Sequence, residues 1–232
     1  MRIKAEENRK SFDELSNKEN CARIFVEGES DRIILGALLK TFKQSHFDSL
    51  LIETKTSGAG HAYVIDMLHH WRRRHKHHQN EAKAIGIVDE DAAGEKKQWN
   101  QEPNNTNSAK CFIWPKPQSF IDLDRTILNA SLSLETLYPK DIWVHAEENE
   151  WLEEIKPLGY LKEDYLNKIV EEEKRKGDFI TDTTPLFVTH NVRSDKKISL
   201  AKYVANKPSN YLRQNFGFMS DFFDQIITYL EV

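Results

Sequence analysis

Two short acidic segments carry the chemistry that this sequence could perform. One is Glu27-Gly28-Glu29-Ser30-Asp31, which follows the apolar run Ile24-Phe25-Val26. The other is Asp89-Glu90-Asp91, which follows Ala84-Ile85-Gly86-Ile87-Val88. Carboxylates gathered in one place repel one another unless a cation sits between them. A few carboxylates beside a phosphate are the usual setting for Mg²⁺. Asp89 and Asp91 are two residues apart, so on a continued strand they share a side. Glu27 comes from a distant part of the chain. Three carboxylates from two strand ends suit one Mg²⁺ or Mn²⁺, with water and a substrate phosphate completing an octahedron. Asp31, one helical turn past Glu27, is placed to reach a second ion. Two ions about 3.5–4 Å apart can activate an attacking water and stabilise a leaving oxygen. The plain alternative is that strand-end acids cap helices or form surface ion pairs.

These acids must be positioned by strands. Residues 22–27 and 84–88 are short and rich in β-branched or aromatic side chains, as buried strands are. Residues 49–54 and 110–114 read as two more strands, the last stopped by Pro115 and Pro117. A helix with the apolar stripe Ile33, Ile34, Ala37, Leu38 and Leu39 is expected after Asp31. A second, bearing Val64, Ile65, Leu68 and Trp71, is expected before the third strand. The β-α-β-α-β-x-β order predicts an α/β fold: a parallel sheet of about four strands with helices on both faces. In such a sheet ligands bind beyond the carboxyl ends of the strands, where both acidic segments lie. Residues 92–108 read as a long polar loop after a short helix. From about residue 125 the pattern is mainly helical. Three parts are expected: an arm or short helix at 1–20, the α/β domain at 21–135, and a helical extension at 136–232.

The 232 residues include 33 Lys and Arg against 37 Asp and Glu, a net charge of −4, so a generally basic nucleic-acid coat is excluded. A local basic groove is not, because binding follows the distribution of charge. Cys21 and Cys111 have no paired metal spacing and read as small core residues of a reducing compartment. The N-terminus lacks an apolar signal segment, and no apolar run approaches the roughly 20 residues of a membrane helix. A soluble, cytoplasmic protein without a membrane partner is expected.

The order of the motifs carries a resemblance. Phe25-Val26-Glu27-Gly28-Glu29-Ser30-Asp31 followed by Ile87-Val88-Asp89-Glu90-Asp91 resembles the Toprim domain of topoisomerases, bacterial primases and OLD-family nucleases. That domain is marked by a strand-end Glu followed by Gly, then Asp-x-Asp after a later strand. The Glu-Gly-x-x-Asp form is most similar to OLD nucleases and to standalone Toprim effectors of phage-defence systems. The resemblance spans residues 22 to about 135. It implies a Mg²⁺- or Mn²⁺-dependent nuclease acting on DNA or RNA with one or two ions. Glu27 would be a metal ligand and acid/base group, Asp89 and Asp91 would hold the first metal, and Asp31 would help with a second. Family members often add an acid after the fourth strand, for which Glu135 is the candidate; a helix-surface glutamate is the alternative. OLD-type nucleases also use a late lysine on the phosphate charge. Lys196, Lys197 and Lys202 are candidates, with Lys197 preferred among the three; a merely solvated basic run is the alternative. Such nucleases usually work with an ATPase. This chain has no ATPase motif, so the resemblance implies a separate ABC/SMC-like ATPase partner and a defence role. An RNA-processing Toprim ribonuclease and a non-catalytic Toprim-like binding module are the other readings.

Two further segments stand apart. Thr56-Ser57-Gly58-Ala59-Gly60 could form a phosphate-facing nest or a flexible turn; it lacks the Gly-Lys-Ser/Thr of a P-loop. Arg72, Arg73, Arg74 and Lys76, set among histidines, form the clear basic cluster. They could meet a nucleic-acid backbone, or they could complement the dipole of a helix C-terminus. The C-terminal third reads equally as a lid, a homodimer surface, a docking face or ordinary core.

Overall fold

The structure is a computed structural model that describes residues 21–55, 60–75, 83–102, 108–121, 123, 132–155 and 184–232. Four strands, β1 (Ala22–Val26), β2 (Leu50–Glu53), β3 (Ala84–Val88) and β4 (Ala109–Ile113), form one all-parallel sheet in the order β2-β1-β3-β4. The register aligns Ile24 with Ile52 on one side and with Ile85 on the other, and Gly86 with Cys111. The expected α/β architecture is therefore present.

Each strand is apolar on both faces because helices cover both. Helix α1 (Glu29–Phe42) returns from β1 over one face, where Ile24, Val26, Ile85 and Ile87 meet Ile34, Leu35 and Leu38. Helix α2 (His61–Arg74) returns from β2 over the other face, with Val64, Leu68 and Trp71 on Phe25, Ala84 and Val88. Gly86 belongs to this packing. A Cβ there would collide with Val64 Cγ1 and lie 3.0 Å from Leu68 Cδ1, so only glycine lets α2 come this close. Gly60, which precedes α2, has φ +72°, a left-handed conformation suited to glycine.

The polar segment expected as a long loop after a short helix begins with a 3-10 turn (Glu90–Ala92) running into α3 (Ala93–Gln101), so the helix takes more of it than expected. One buried side chain, Trp99, and the paired bonds of Asn100 with the Cys111 backbone dock this otherwise polar helix. A single anchor leaves little apolar periodicity to read.

The C-terminal part is mainly helical, as expected. It comprises α4 (Lys140–Glu148), α5 (Lys197–Ala205), α6 (Ser209–Asn215) and α7 (Ser220–Leu230). Helix α5 lies along α1, and α7 buries Phe222, Phe223, Ile226 and Leu230. Its rings reach Phe42 (5.7 Å, from Phe223) and Phe112 (5.9 Å, from Phe222). The helical part thus extends the α1-side core without a break.

This region also holds a strand pair that the helical reading lacks. β5 (Leu152–Glu154) pairs antiparallel with β6 (His190–Val192). Three-residue strands joined across almost forty residues leave no local alternation to detect. The Cys111 thiol is buried and pushed up to about 12 by burial, whereas Cys21 is half-buried; neither is in a disulfide. Among the described residues no helix is long and apolar enough to cross a membrane. The 1–20 arm and most of the Thr56–Gly60 turn lie outside the described residues.

Candidate active site at the carboxyl edge of the sheet

Helix α1 leaves β1 toward one face of the sheet, while α3 follows β3 on the other. β1 and β3 are neighbours, so the chain diverges between them and opens a crevice at their carboxyl ends. This is the switch point where open α/β sheets take ligands. Glu27 and Asp89 are the first residues past these two strands.

The two acids are tied together. The Asp89 backbone N–H donates to Glu27 Oε1 at 2.8 Å, fixing one strand end against the other. The Glu27 carbonyl accepts from the Gly60 N–H at 3.2 Å, which seats the start of α2 on the same edge. Asp31 turns back from the first turn of α1. It and Glu135 are the only buried acidic side chains among the described residues, at 7% and 8% exposure. Glu135 opens a 3-10 turn (Glu135–Leu137) that stands over the crevice. Lys197, the first residue of α5, donates from Nζ to Glu135 Oε1 at 2.9 Å.

The electrostatics are those of crowded, half-dry carboxylates. Burial pushes Asp89 up to about 9, helped by the charges of Asp31, Glu27, Glu135 and Asp91. Burial, then Glu135 and Glu27, raises Asp31 to about 7. Glu27 is raised by burial and by Asp91, against the opposing Asp89 N–H bond. Burial alone would lower Lys197, but Glu135, Asp89 and Asp31 more than offset it and hold the ammonium charged. One lysine among these acids leaves the negative charge in excess.

These residues fit a divalent cation. Asp89 Oδ1 is buried with no hydrogen-bond partner, a cost ordinarily avoided unless something else supplies the partner. Gly28 leaves the space beside Asp31 open: a Cβ there would sit 3.1 Å from Asp31 Oδ2. All the donors are hard oxygens, which suit Mg²⁺ or Mn²⁺. Among the described residues no group of three or more His, Cys, Asp or Glu side chains is placed to hold a metal ion. Glu135 is turned onto Lys197, and one oxygen of Glu27 onto the Asp89 N–H.

The structure thus brings Glu27, Asp31, Asp89, Glu135 and Lys197 to one edge. Asp91 sits exposed at its rim, in the 3-10 turn, close enough to act on Glu27 and Asp89 through its charge. Lys196 pairs with Asp195 instead, at 3.3 Å. The basic cluster is not brought to the acids. Arg72 lies near the far end of α2, roughly 18 Å of helix from Gly60. There Arg72 pairs with Glu102 at 3.6 Å and lies over the Trp99 ring at 5.8 Å. Arg73 is exposed on the same turn. The Arg74 side chain and Lys76 lie outside the described residues.

Glu90 is the contributor that sequence reasoning missed. It lies between two predicted ligands and looks like a third. Instead its carboxylate accepts from Lys116 Nζ at 2.8 Å and from the Leu132 N–H at 3.1 Å. Its own N–H donates to the Leu132 carbonyl at 2.9 Å. Glu90 therefore clasps the segment that delivers Glu135. Its partners, 26 and 42 residues away, give no local signal. Tyr138 closes the base of the site; it is buried, and burial and then Glu135 and Asp31 raise its phenol well above the usual value.

No family model, curated protein or solved structure matches this chain.

Proposed function

We propose that this protein is a metal-dependent nuclease that hydrolyses phosphodiester bonds in DNA or RNA at the β1–β3 crevice. The observation that carries the reading is the unpartnered buried oxygen of Asp89, set among Glu27, Asp31 and Glu135 with Lys197 beside them. Glu27, Asp89 and Asp91 would hold a Mg²⁺ or Mn²⁺ ion, with Asp31 and Glu135 serving a second. When bound, such ions neutralise phosphate charge and lower the pKa of water.

The chain's own groups do the rest. Glu27, held by the Asp89 N–H through one oxygen, keeps the other for orienting water or accepting its proton. Lys197 is charged and 44% exposed, so it can leave Glu135 for a phosphate oxygen and stabilise the charge that develops there. The tight α1–α5 and α1–sheet packing holds both groups on rigid elements.

The motif order of a Toprim nuclease supports the same reading. It extends it to an anti-phage effector working with a separate ABC/SMC-like ATPase. An ATPase gene beside this one would support that extension.

The test is cleavage of single- and double-stranded DNA and RNA with Mg²⁺ or Mn²⁺ by the full chain, by Glu27→Ala and by Asp89→Ala. Metal-dependent cleavage by wild type alone is expected. Equal activity in all three proteins would sink the mechanism.

A further inference from the structure

Beside the acid edge lies a cavity of about 450 Å³, within the roughly 300–1,000 Å³ typical of ligand pockets. Glu135 and Lys197 belong to its wall, so it opens directly from the proposed cleavage site. The β5–β6 ribbon supplies its far side. Its floor is aromatic: Trp143 and Phe187 face one another with ring centroids 6.2 Å apart. Trp143 is only 3% exposed, and its indole Nε1 is buried without a hydrogen-bond partner. His190 and Asn191 add polar groups at the ribbon. His190 Nδ1 is engaged by Thr189 Oγ1 at 2.8 Å, which leaves Nε2 as the ring nitrogen for a ligand.

Two other cavities lack this combination. One of about 520 Å³ touches Arg32, but that guanidinium is already held by Glu29 through two bonds of 2.6 and 2.7 Å. One of about 760 Å³ shares the Trp143 and Phe187 wall but reaches none of the site acids.

We propose that the 450 Å³ cavity receives one unpaired nucleobase of the substrate strand, from the nucleotide next to the phosphate being cut. This rests on the nuclease reading above. Aromatic and apolar walls take the face of a base, and His190 and Asn191 meet its edge. Lys197, common to cavity and acid edge, holds the adjoining phosphate. A base within a continuous duplex is stacked on both sides and cannot enter without leaving the helix. The substrate is therefore a single strand, a loop or a site where a base flips out.

The test uses the full chain with Mg²⁺ or Mn²⁺ and one sequence presented four ways. These are a single strand, a hairpin loop, an uninterrupted duplex, and a single strand abasic beside the mapped cleavage site. The single strand and the loop are expected to be cut alike. Losing one stacked base costs about 1–3 kcal/mol, so kcat/KM should fall about 5- to 150-fold on the abasic strand and on the duplex. His190→Ala and the exposed Asn191→Ala should narrow the preference among bases at that position and have no effect on the abasic strand. If duplex and abasic strands are cut as fast as the intact single strand, the pocket is refuted and the nuclease reading stands. If no strand is cut in a metal-dependent way, both fall.

Discussion

The two ends of the sheet handle charge in opposite ways. At the amino end cations have acidic partners. Arg72 pairs with Glu102 over Trp99, and Lys83, just before β3, pairs with Glu231; along β1, Arg23 pairs with Glu53, the last residue of β2. His75 rests on Trp71 with ring centroids 4.2 Å apart. At the carboxyl end five carboxylates crowd around a single lysine, and Asp89 keeps a buried oxygen without a partner. Balanced charge of the first kind holds a fold together. Unbalanced charge of the second kind costs stability and is tolerated where a site needs it. The contrast teaches that a basic cluster and an acidic cluster, equally visible in a sequence, carry different information once their partners are known.

The largest break in that contrast is Asp89→Asn. It should lower metal-dependent cleavage on the order of 10³-fold, because a ligand is worth several kcal/mol of charge stabilisation. It should also raise the melting temperature without metal by a few degrees, about 2–4 °C per kcal/mol gained. The sign follows from the raised pKa. An aspartate near 3.8 when unfolded and about 9 when folded loses stability as pH climbs between those values. Asparagine has no such loss, so the gain should grow with pH and vanish near pH 4. A variant that melts lower at pH 8 would contradict this account of the site.

Lys197→Ala comes next. Removing one charge-stabilising donor should reduce kcat about 10²–10³-fold with little change in KM. A loss confined to KM would make Lys197 a binding group only.

Metal should sharpen the comparison through pH. Asp31 titrates near 7 and Asp89 near 9 in the metal-free protein. Divalent ions must displace those protons, so Mg²⁺ should raise the melting temperature more at pH 8 than at pH 6. Proton release on titration with Mg²⁺ is the direct calorimetric check. A stabilisation independent of pH would show that these acids are not the ligands.

The smallest effect belongs to the basic end. Arg72→Ala removes a partly exposed pair and should cost about 1 kcal/mol or less. Cleavage and its salt dependence should stay as in wild type. A shallower salt slope would instead make this end a nucleic-acid contact.

How much of this was legible follows from the range of each signal. β1, β3 and β4 announce themselves through contiguous Ile, Val and Phe, because a parallel strand is buried on both faces. Glu27 and Asp89 are legible for the same reason, as the first charges past those runs. Lys197 and Glu135 could be named only through a resemblance, since their meeting depends on α5 lying along α1. The β5–β6 ribbon, the extent of α3 and the aromatic cavity were invisible. Each is assembled from contacts between segments whose own periodicity is weak.

The clasp at Glu90 has a consequence for how such a chain can vary. The Leu132 backbone is held twice by Glu90: its N–H donates to the Glu90 carboxylate and its carbonyl accepts from the Glu90 N–H. The chain must therefore resume at the same point however it travels between Trp114 and Leu132. Glu90→Ala should release Glu135 from its place and lower cleavage, although the Glu90 carboxylate is held by Lys116 and Leu132 rather than aimed at a ligand.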